Sequence, residues 1–166
     1  MDYSQQINAW FDDFDRTMTR VVPDIIAETA VEYYLENFQR EAWNGHPWQP
    51  LSPKYAARKR YGRGRILTAR ANLQRSIRPG EVTPRQVRIS AGNAKVPYAR
   101  VHNEGFYGRV TVPAYVNPNF MGRGQSVPIK AHTRQMRIPQ RQFIGITRPL
   151  NDRIRDRIII GTKQRR

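Results

Sequence analysis

Apolar residues recur every three or four positions through the first quarter of the chain, and this spacing predicts an amphipathic helical segment over residues 4–41. Pro23 interrupts the pattern, because a proline lacks the backbone N–H and its ring clashes with the preceding turn. The segment is therefore either one kinked helix or two consecutive helices. In both cases we expect its apolar stripe to cover one face of a sheet; the stripe consists of Ile7, Phe11, Phe14, Met18, Val21, Ile25, Ala30, Tyr33 and Phe38.

The helical pattern stops after residue 41. Residues 42–53 hold three prolines and a glycine, which predicts a loop, and its two tryptophans would pin that loop to the body. Two short helices are predicted next, at residues 53–60 and 67–76. They are separated by a basic loop with the sequence Tyr61-Gly62-Arg63-Gly64-Arg65.

From residue 85 onward apolar and polar positions alternate, and a period of two predicts β-strands. The first strand spans residues 85–91 and the second spans residues 97–103, with Gly105 as the breaker that ends it. On the second strand the alternation predicts a row of polar side chains that form hydrogen bonds within the sheet or with a neighbouring subunit. This row consists of Arg100, His102 and Glu104.

A long hairpin follows in the predicted order of elements. Its strands are residues 108–116 and 127–133, its tip is residues 117–126, and a proline inside each strand indicates an edge or projecting ribbon. Pro149 then suits the first turn of a C-terminal helix at residues 149–161. A basic tail at residues 162–166 ends the chain.

Together these elements predict a single α+β domain over residues 1–166, a length typical of one domain. We expect an antiparallel sheet of about four strands within residues 85–147. The long N-terminal helical segment and the C-terminal helix pack on this sheet, and the hairpin at residues 108–133 projects from it as an arm. No apolar run approaches the length of a membrane span.

Charge indicates what kind of partner the chain has. The net charge is +16, but residues 1–41 carry −6 and residues 42–166 carry +22. An acidic first segment and a basic body indicate contact with a polyanion, or subunits that place the acidic part of one chain on the basic part of the next.

The composition gives little support to catalysis. The chain has no cysteine, so it can form no disulfide, thiolate zinc site or cysteine nucleophile. Its three histidines share no metal-ligand spacing, and only four acidic residues follow residue 41. His102 and Glu104 resemble the His-x-Glu pair of zinc deaminases, but the cysteine ligands of that site are missing. We expect no enzymatic activity and no cofactor.

Five short motifs follow one another along residues 48–145. They are Trp48-Gln49-Pro50-Leu51-Ser52, Ile66-Leu67, Leu73-Gln74-Arg75-Ser76-Ile77, Tyr98-Ala99-x-x-His102-Asn103-x-Gly105 and Ile138-Pro139-x-Arg141-x-Phe143-Ile144-Gly145. In order and spacing they resemble landmarks of the bacteriophage virion morphogenesis proteins, the tail-completion or neck proteins of tailed phages.

Two features depart from the pattern of that family. Ala71 stands where the family usually has glycine, so we expect a helical turn before Leu73. Residues 106–137 form a longer connection than the family's last two landmarks usually have, which suggests a contact arm particular to this lineage.

The resemblance implies a structural virion protein that forms a homo-oligomeric, hexameric ring at the head–tail junction. Such a protein would act through contacts with other neck, connector or tail-terminator proteins around the DNA channel. It would touch the packaged DNA without sequence specificity and would have no membrane partner. Its place would be the virion, at the junction or in the tail, after assembly in the host cytoplasm.

Six side chains are our candidates for contacts with neighbouring subunits or with DNA in the channel. Those in the basic loop would meet an acidic surface or DNA, and the aromatic side chain at the hairpin tip would anchor in a neighbour. The six are Arg63 and Arg65 in the basic loop, Phe120 and Arg123 at the hairpin tip, and Arg141 and Phe143 in the last motif.

The same composition also fits a cellular nucleic-acid-binding protein, which is our alternative. Aromatic residues interleave with basic ones, as in proteins that bind single strands by stacking, although no recognition motif of a DNA- or RNA-binding class is present. The aromatic residues concerned are Tyr55, Tyr61, Tyr98, Phe106, Tyr107 and Tyr115.

Overall fold

The computed structural model describes residues 2–59, 65–120 and 124–163. Its helical elements are α1 (Tyr3–Arg16), a π-helical segment (Thr17–Val21), α2 (Val22–Arg40), α3 (Pro53–Arg58), α4 (Asn72–Arg75), α5 (Ala99–Glu104) and α6 (Arg148–Lys163). Its strands are β1 (Ala42–Trp43), β2 (His46–Pro47), β3 (Arg78–Val82), β4 (Val87–Ser90), β5 (Phe106–Val112), β6 (Tyr115–Phe120), β7 (Gln125–Ile129) and β8 (His132–Ile138).

The N-terminal segment is one continuous helix. Right-handed helical dihedral angles run through Arg16, Thr17 and Val22, so α1, the π-helical segment and α2 follow without a break. Just before Pro23 the turn widens, and the N–H of Val22 donates to the carbonyl of Thr17, five residues back. The wider turn accommodates a proline, which has no N–H to donate to the carbonyl four residues before it.

The core lies between α2, α6 and the irregular segments that surround them. Phe38 of α2 is fully buried and packs against Trp48 and Phe143, with ring centroids 5.4 and 5.3 Å apart. Leu150 of α6 closes the same cluster, whose members are Ala30, Tyr33, Tyr34, Phe38, Trp48, Ile66, Leu73, Ile77, Val96, Ala99, Phe143 and Leu150. The predicted long N-terminal helix and C-terminal helix are therefore confirmed, but they do not pack on a single sheet of about four strands.

The β-structure corrects our prediction of one sheet of about four strands. In the part of the chain that the structure describes, the strands form four separate antiparallel pairs, β1–β2, β3–β4, β5–β8 and β6–β7. β4 lies within the predicted strand at residues 85–91, but its partner β3 was not predicted, because Pro79 and Gly80 weaken the strand pattern there. α2 packs on the β3–β4 pair.

The predicted strand at residues 97–103 is wrong, because this stretch forms the helix α5. The N–H of His102 donates to the carbonyl of Tyr98 (3.2 Å), and Arg100 pairs with Glu104 one helical turn away (2.9 Å). Helical periodicity breaks up the predicted polar row. Arg100 and Glu104 are exposed, whereas His102 is half-buried.

The hairpin is longer than predicted and is built in two stages. β5 pairs with β8 from Phe106↔Ile138 to Val112↔His132, and β6 pairs with β7 from Tyr115↔Ile129 outward. Residues 113–114 and 130–131 separate the two ladders, and Pro113 cannot donate a ladder hydrogen bond. We call residues 106–138 the arm.

Other local predictions need smaller corrections. α3 ends at Arg58 and not at residue 60, and the helix predicted at residues 67–76 is only α4, Asn72–Arg75. The C-terminal helix, α6, begins one residue earlier than predicted. The turn before Leu73 is not helical, since Ala71 adopts a left-handed conformation (φ 55°) that glycine adopts more readily.

Candidate assembly surfaces

α1 carries an apolar stripe along a face that nothing in the described chain covers. Its side chains are 46–82% exposed, and α1 contains no buried residue at all. Successive members are three, four or one residues apart. Because an α-helix rotates by about 100° per residue, this spacing places them all within a sector about 100° wide around the helix axis. The stripe consists of Tyr3, Ile7, Trp10, Phe11 and Phe14 of α1, with Met18 of the π-helical segment.

Aromatic contacts order the centre of this stripe. The ring of Trp10 stacks on Phe14 at 5.5 Å and meets Phe11 edge-on at 5.1 Å. By the same rotation of about 100° per residue, Asp13 and Asp15 lie on opposite flanks of the stripe. The projecting half of the helix therefore presents a preordered aromatic surface between carboxylates.

Our expectation that this half covers a sheet is wrong. Tyr33, Tyr34 and Phe38 of α2 are buried, so the body surrounds only the second half of the helix. The two halves together span about 55 Å at 1.5 Å per residue, whereas a small domain is about 30 Å across. The length of the amphipathic pattern was thus a signal, available in the sequence, that part of the stripe faces outward.

Ion pairs fix the buried half to α6. The guanidinium of Arg153 holds Glu36 with two hydrogen bonds of 2.6 and 3.0 Å, and Arg157 pairs with Glu32 at 2.5 Å. These contacts hold α2 against α6. Because α1 continues from α2, α2 sets the direction of α1 relative to the body.

A groove with a volume of about 920 Å³ opens on the body, lined by residues 49–53 and by side chains from α3, α4, α5 and the base of the arm. Apolar lining comes chiefly from Leu51, Leu67, Leu73 and Pro139. All five sequence motifs contribute a wall residue, although they are far apart along the chain. Sequence reasoning did not predict this groove.

The groove is electropositive. Lys59, Arg70, Arg137 and Arg141 line it, and no Asp or Glu occurs among its lining residues in the described chain. Burial lowers the pKa of Lys59, whose Nζ donates to the carbonyl of Arg65. This surface suits a partner that carries both apolar and anionic groups.

His102 faces the groove and remains neutral at pH 7. Burial, and then the positive charge of Arg141, lower the pKa of its imidazole. Its Nδ1 is buried without a hydrogen-bond partner among the described residues, and its ring meets Tyr98 edge-on at 5.7 Å. The imidazole ring therefore contributes a planar, uncharged surface to the wall of the groove.

Side chains from the other motifs hold the irregular segment 142–147, which has no ladder of its own. Trp48 Nε1 donates to the carbonyl of Gln142 (2.7 Å), and Asn103 Oδ1 accepts from the N–H groups of Phe143 and Ile144 (3.0 and 3.1 Å). Buried backbone groups need such partners. The motifs therefore have a structural role, since their residues stabilise the fold of the body and form the walls of the groove.

The structure describes the side chains of three of the six candidate contact residues, Arg65, Arg141 and Phe143. Arg65 is exposed and lies 3.9 Å from Glu41, whereas Arg63 and Arg123 lie outside the described residues. Phe120 ends β6, and its side chain also lies outside what the structure describes.

The two candidates from the last motif are buried in their own chain. Phe143 is 1% exposed in the core. Arg141 is 6% exposed and donates to the carbonyls of Gln49 (2.9 Å) and Pro50 (3.1 Å). Both contribute to the fold of the protomer; a contact of either with a neighbour stays a prediction.

The arm presents polar and aromatic side chains on exposed surface. Tyr107 and Arg137 face each other in the inner ladder, and Tyr115 and Val116 are exposed in the outer one. Residues 113–129 carry a single charged side chain, Arg123, in a chain that is 25% charged. The outer half is therefore suited to protein contact, and the inner half carries the charge.

Among residues 2–59, 65–120 and 124–163, no group of three or more His, Cys, Asp or Glu side chains is placed to hold a metal ion. None of the helices in these ranges combines the length and apolarity required to cross a membrane.

An uncovered aromatic helix, an electropositive groove and an extended arm are together typical of a protein that assembles with other chains. Comparison with protein families agrees: residues 2–160 match the phage virion morphogenesis family, and the chain belongs to it. It is thus a virion-associated morphogenesis protein of a structural family. The comparisons with curated proteins and with solved structures each gave no significant match.

Proposed function

We propose that this protein is a tail-completion or neck protein, which forms a hexameric ring at the head–tail junction and joins neighbouring virion components around the DNA channel. Membership of the phage virion morphogenesis family supports the general role. It also makes our alternative, a cellular nucleic-acid-binding protein, the weaker hypothesis.

The uncovered stripe of α1 is the observation that carries this proposal. Side chains of this size are normally removed from water, and a soluble monomer rarely exposes a contiguous apolar patch beyond a few hundred Å². An assembly protein has a reason to retain one, because a partner covers it in the particle. The exposed arm, with its polar and aromatic side chains, adds a second surface for a partner.

Charge supports a position next to DNA. The body carries +22 over residues 42–166, and Arg109, Arg134 and Arg137 add basic groups to the inner arm. Phosphate contacts of this kind need no base sequence and weaken steeply with salt. We propose that the basic face of each subunit lines the channel, or meets acidic surfaces of connector proteins.

Native mass measurement and in vitro joining test the proposal together. Purified protein should form one closed oligomer and should convert filled heads and tails prepared without it into complete particles, counted by electron microscopy. A variant with Tyr107→Ser and Tyr115→Ser, which removes exposed arm aromatics without touching the core, should still fold but join fewer particles. A protein that binds neither heads nor tails contradicts the proposal.

A further inference from the structure

We propose that α1 of one protomer docks in the groove of a second copy of this chain, and that this contact links consecutive subunits. The inference rests on the proposed function and specifies how the ring would be held together. Each protomer would offer two different surfaces, the stripe and the groove.

The stripe cannot be covered by its own body. α1 continues directly into α2 through helical backbone, and α2 is fixed in the core and to α6. A rigid helix that leaves the body in this way cannot fold back to a groove on that body. A second molecule must therefore cover the stripe if it is to be covered.

Both surfaces are large enough for a contact between a helix and a groove. Half to four-fifths of each of the four aromatic side chains on α1 is exposed. On a scale of about 150–250 Å² per aromatic residue, the stripe therefore exposes several hundred Å². The groove, at about 920 Å³, lies near the upper end of the range of roughly 300–1,000 Å³ for binding pockets. Amphipathic helices commonly bind apolar grooves through side chains with this spacing.

The two surfaces match in charge. Asp13 and Asp15 flank the stripe on its two sides, and among described residues the groove has basic lining without any carboxylate. Complementary charge of this kind steers association and fixes orientation. It also explains why one chain holds an acidic segment of −6 beside a body of +22.

A contact between two different surfaces is heterologous, so every subunit can bind one neighbour on each side. Such contacts close into a ring when the rotation between subunits allows it. The ring then needs no further partner for its own cohesion, and the arm stays available for contacts with other virion proteins.

Thiol cross-linking tests the contact directly, because the natural chain has no cysteine. The variant Ile7→Cys/Ala69→Cys places one thiol on the stripe and one at the groove. A short bis-maleimide should convert it into a ladder of covalent oligomers up to the size of the ring. A mixture of the two single variants should stop at dimers, since each chain then has one reactive surface. In the matched control, Gln5→Cys replaces Ile7→Cys on the opposite face of α1 and should give no ladder.

Charge exchange provides a second, independent test. Asp13→Lys/Asp15→Lys should weaken self-association at least about tenfold, since both flanks then repel the groove. Arg137→Glu alone should do the same, and the combination should restore association to within about threefold. Asp12→Lys, on the far side of α1, should leave it unchanged.

The outcomes separate this inference from the proposed function. Docking of α1 in the groove is overturned, and the ring left intact, by three results together: the wild-type chain forms rings, the variant Ile7→Cys/Ala69→Cys gives no ladder, and the combined charge exchange gives no rescue. A wild-type chain that stays monomeric both alone and bound to heads or tails overturns the ring itself and the contact with it.

Discussion

Arg153 of α6 holds Glu36 of α2 in a bidentate ion pair, with N–O distances of 2.6 and 3.0 Å. The hydrogen bonds from Arg153 lower the pKa of Glu36 and raise the pKa of Arg153 itself. The guanidinium also lies 5.5 Å from the centre of the Tyr33 ring. This pair joins the long N-terminal helix to the C-terminal helix beside the buried Tyr33.

Replacing Arg153 by Met should lower the free energy of unfolding by about 1–2 kcal/mol, because two charge-assisted hydrogen bonds are lost. Since the pKa of Glu36 is depressed, its contribution is present above pH about 4.5 and is lost as the pH falls through the folded-state pKa. Urea unfolding at pH 7 and pH 3.5 measures both effects, and the difference between variant and wild type should shrink at the lower pH. Arg155→Met, on the exposed side of α6, should change stability by less than about 0.5 kcal/mol.

Arg141 should matter to the fold before it matters to assembly. Arg141→Leu should cost about 2–4 kcal/mol, because the carbonyls of Gln49 and Pro50 lose their donors in a buried site. Arg137→Leu, in the same groove but exposed, should cost far less. Denaturant unfolding of the two variants checks this. Wild-type stability of Arg141→Leu, together with lost ring formation, would instead make Arg141 a contact residue.

Stability should decrease as the pH falls below about 6.5, where histidines in an unfolded chain take up protons. The folded pKa of His102 is lowered, so the unfolded state binds more protons in this window and is favoured. Thermal unfolding between pH 8 and pH 5 should show this decrease, and His102→Phe should flatten it. His132→Asn, at an exposed position of the arm, is the matched control and should keep the wild-type slope.

Ala71→Gly should stabilise the protein. Its φ of 55° places an alanine in the left-handed region, at a cost of about 1–2 kcal/mol that glycine avoids. Glycine gains freedom in the unfolded chain, so we expect a net gain of about 0.5–1 kcal/mol. Differential scanning calorimetry should show a higher Tm, whereas Ala56→Gly, inside α3, should lower it.

Long periodic patterns made the helices predictable. A stripe of many turns over residues 4–41 could hardly arise by chance, and Pro149 marked the first turn of α6. The arm was predictable because two alternating runs flanked a tip rich in proline and glycine. The ends of β5 and β8 next to the body were not predicted, because Phe106 follows Gly105 and Ile138 precedes Pro139.

Short segments were not predictable on the same basis. Tyr98 to Gly105 is too short a stretch for its pattern to distinguish a strand from a helix, and the buried Ala99 and the contacts of Asn103 favour the helix. Those contacts are with residues some 40 positions away, so no local pattern contains them. The candidate site shows the same limit, because the walls of the groove come from five separate stretches.

The π-helical segment has a consequence for the geometry of any assembly built through α1. A helix turns by about 100° with each residue. The number of residues between Arg16 and Val22 therefore fixes the orientation of Trp10 and Phe14 about the helix axis. Removing one residue there would swing the whole aromatic face by about 100° without altering a single side chain on it. The angle between neighbouring subunits would thus be encoded by counting residues, and a one-codon insertion or deletion would suffice to redirect it.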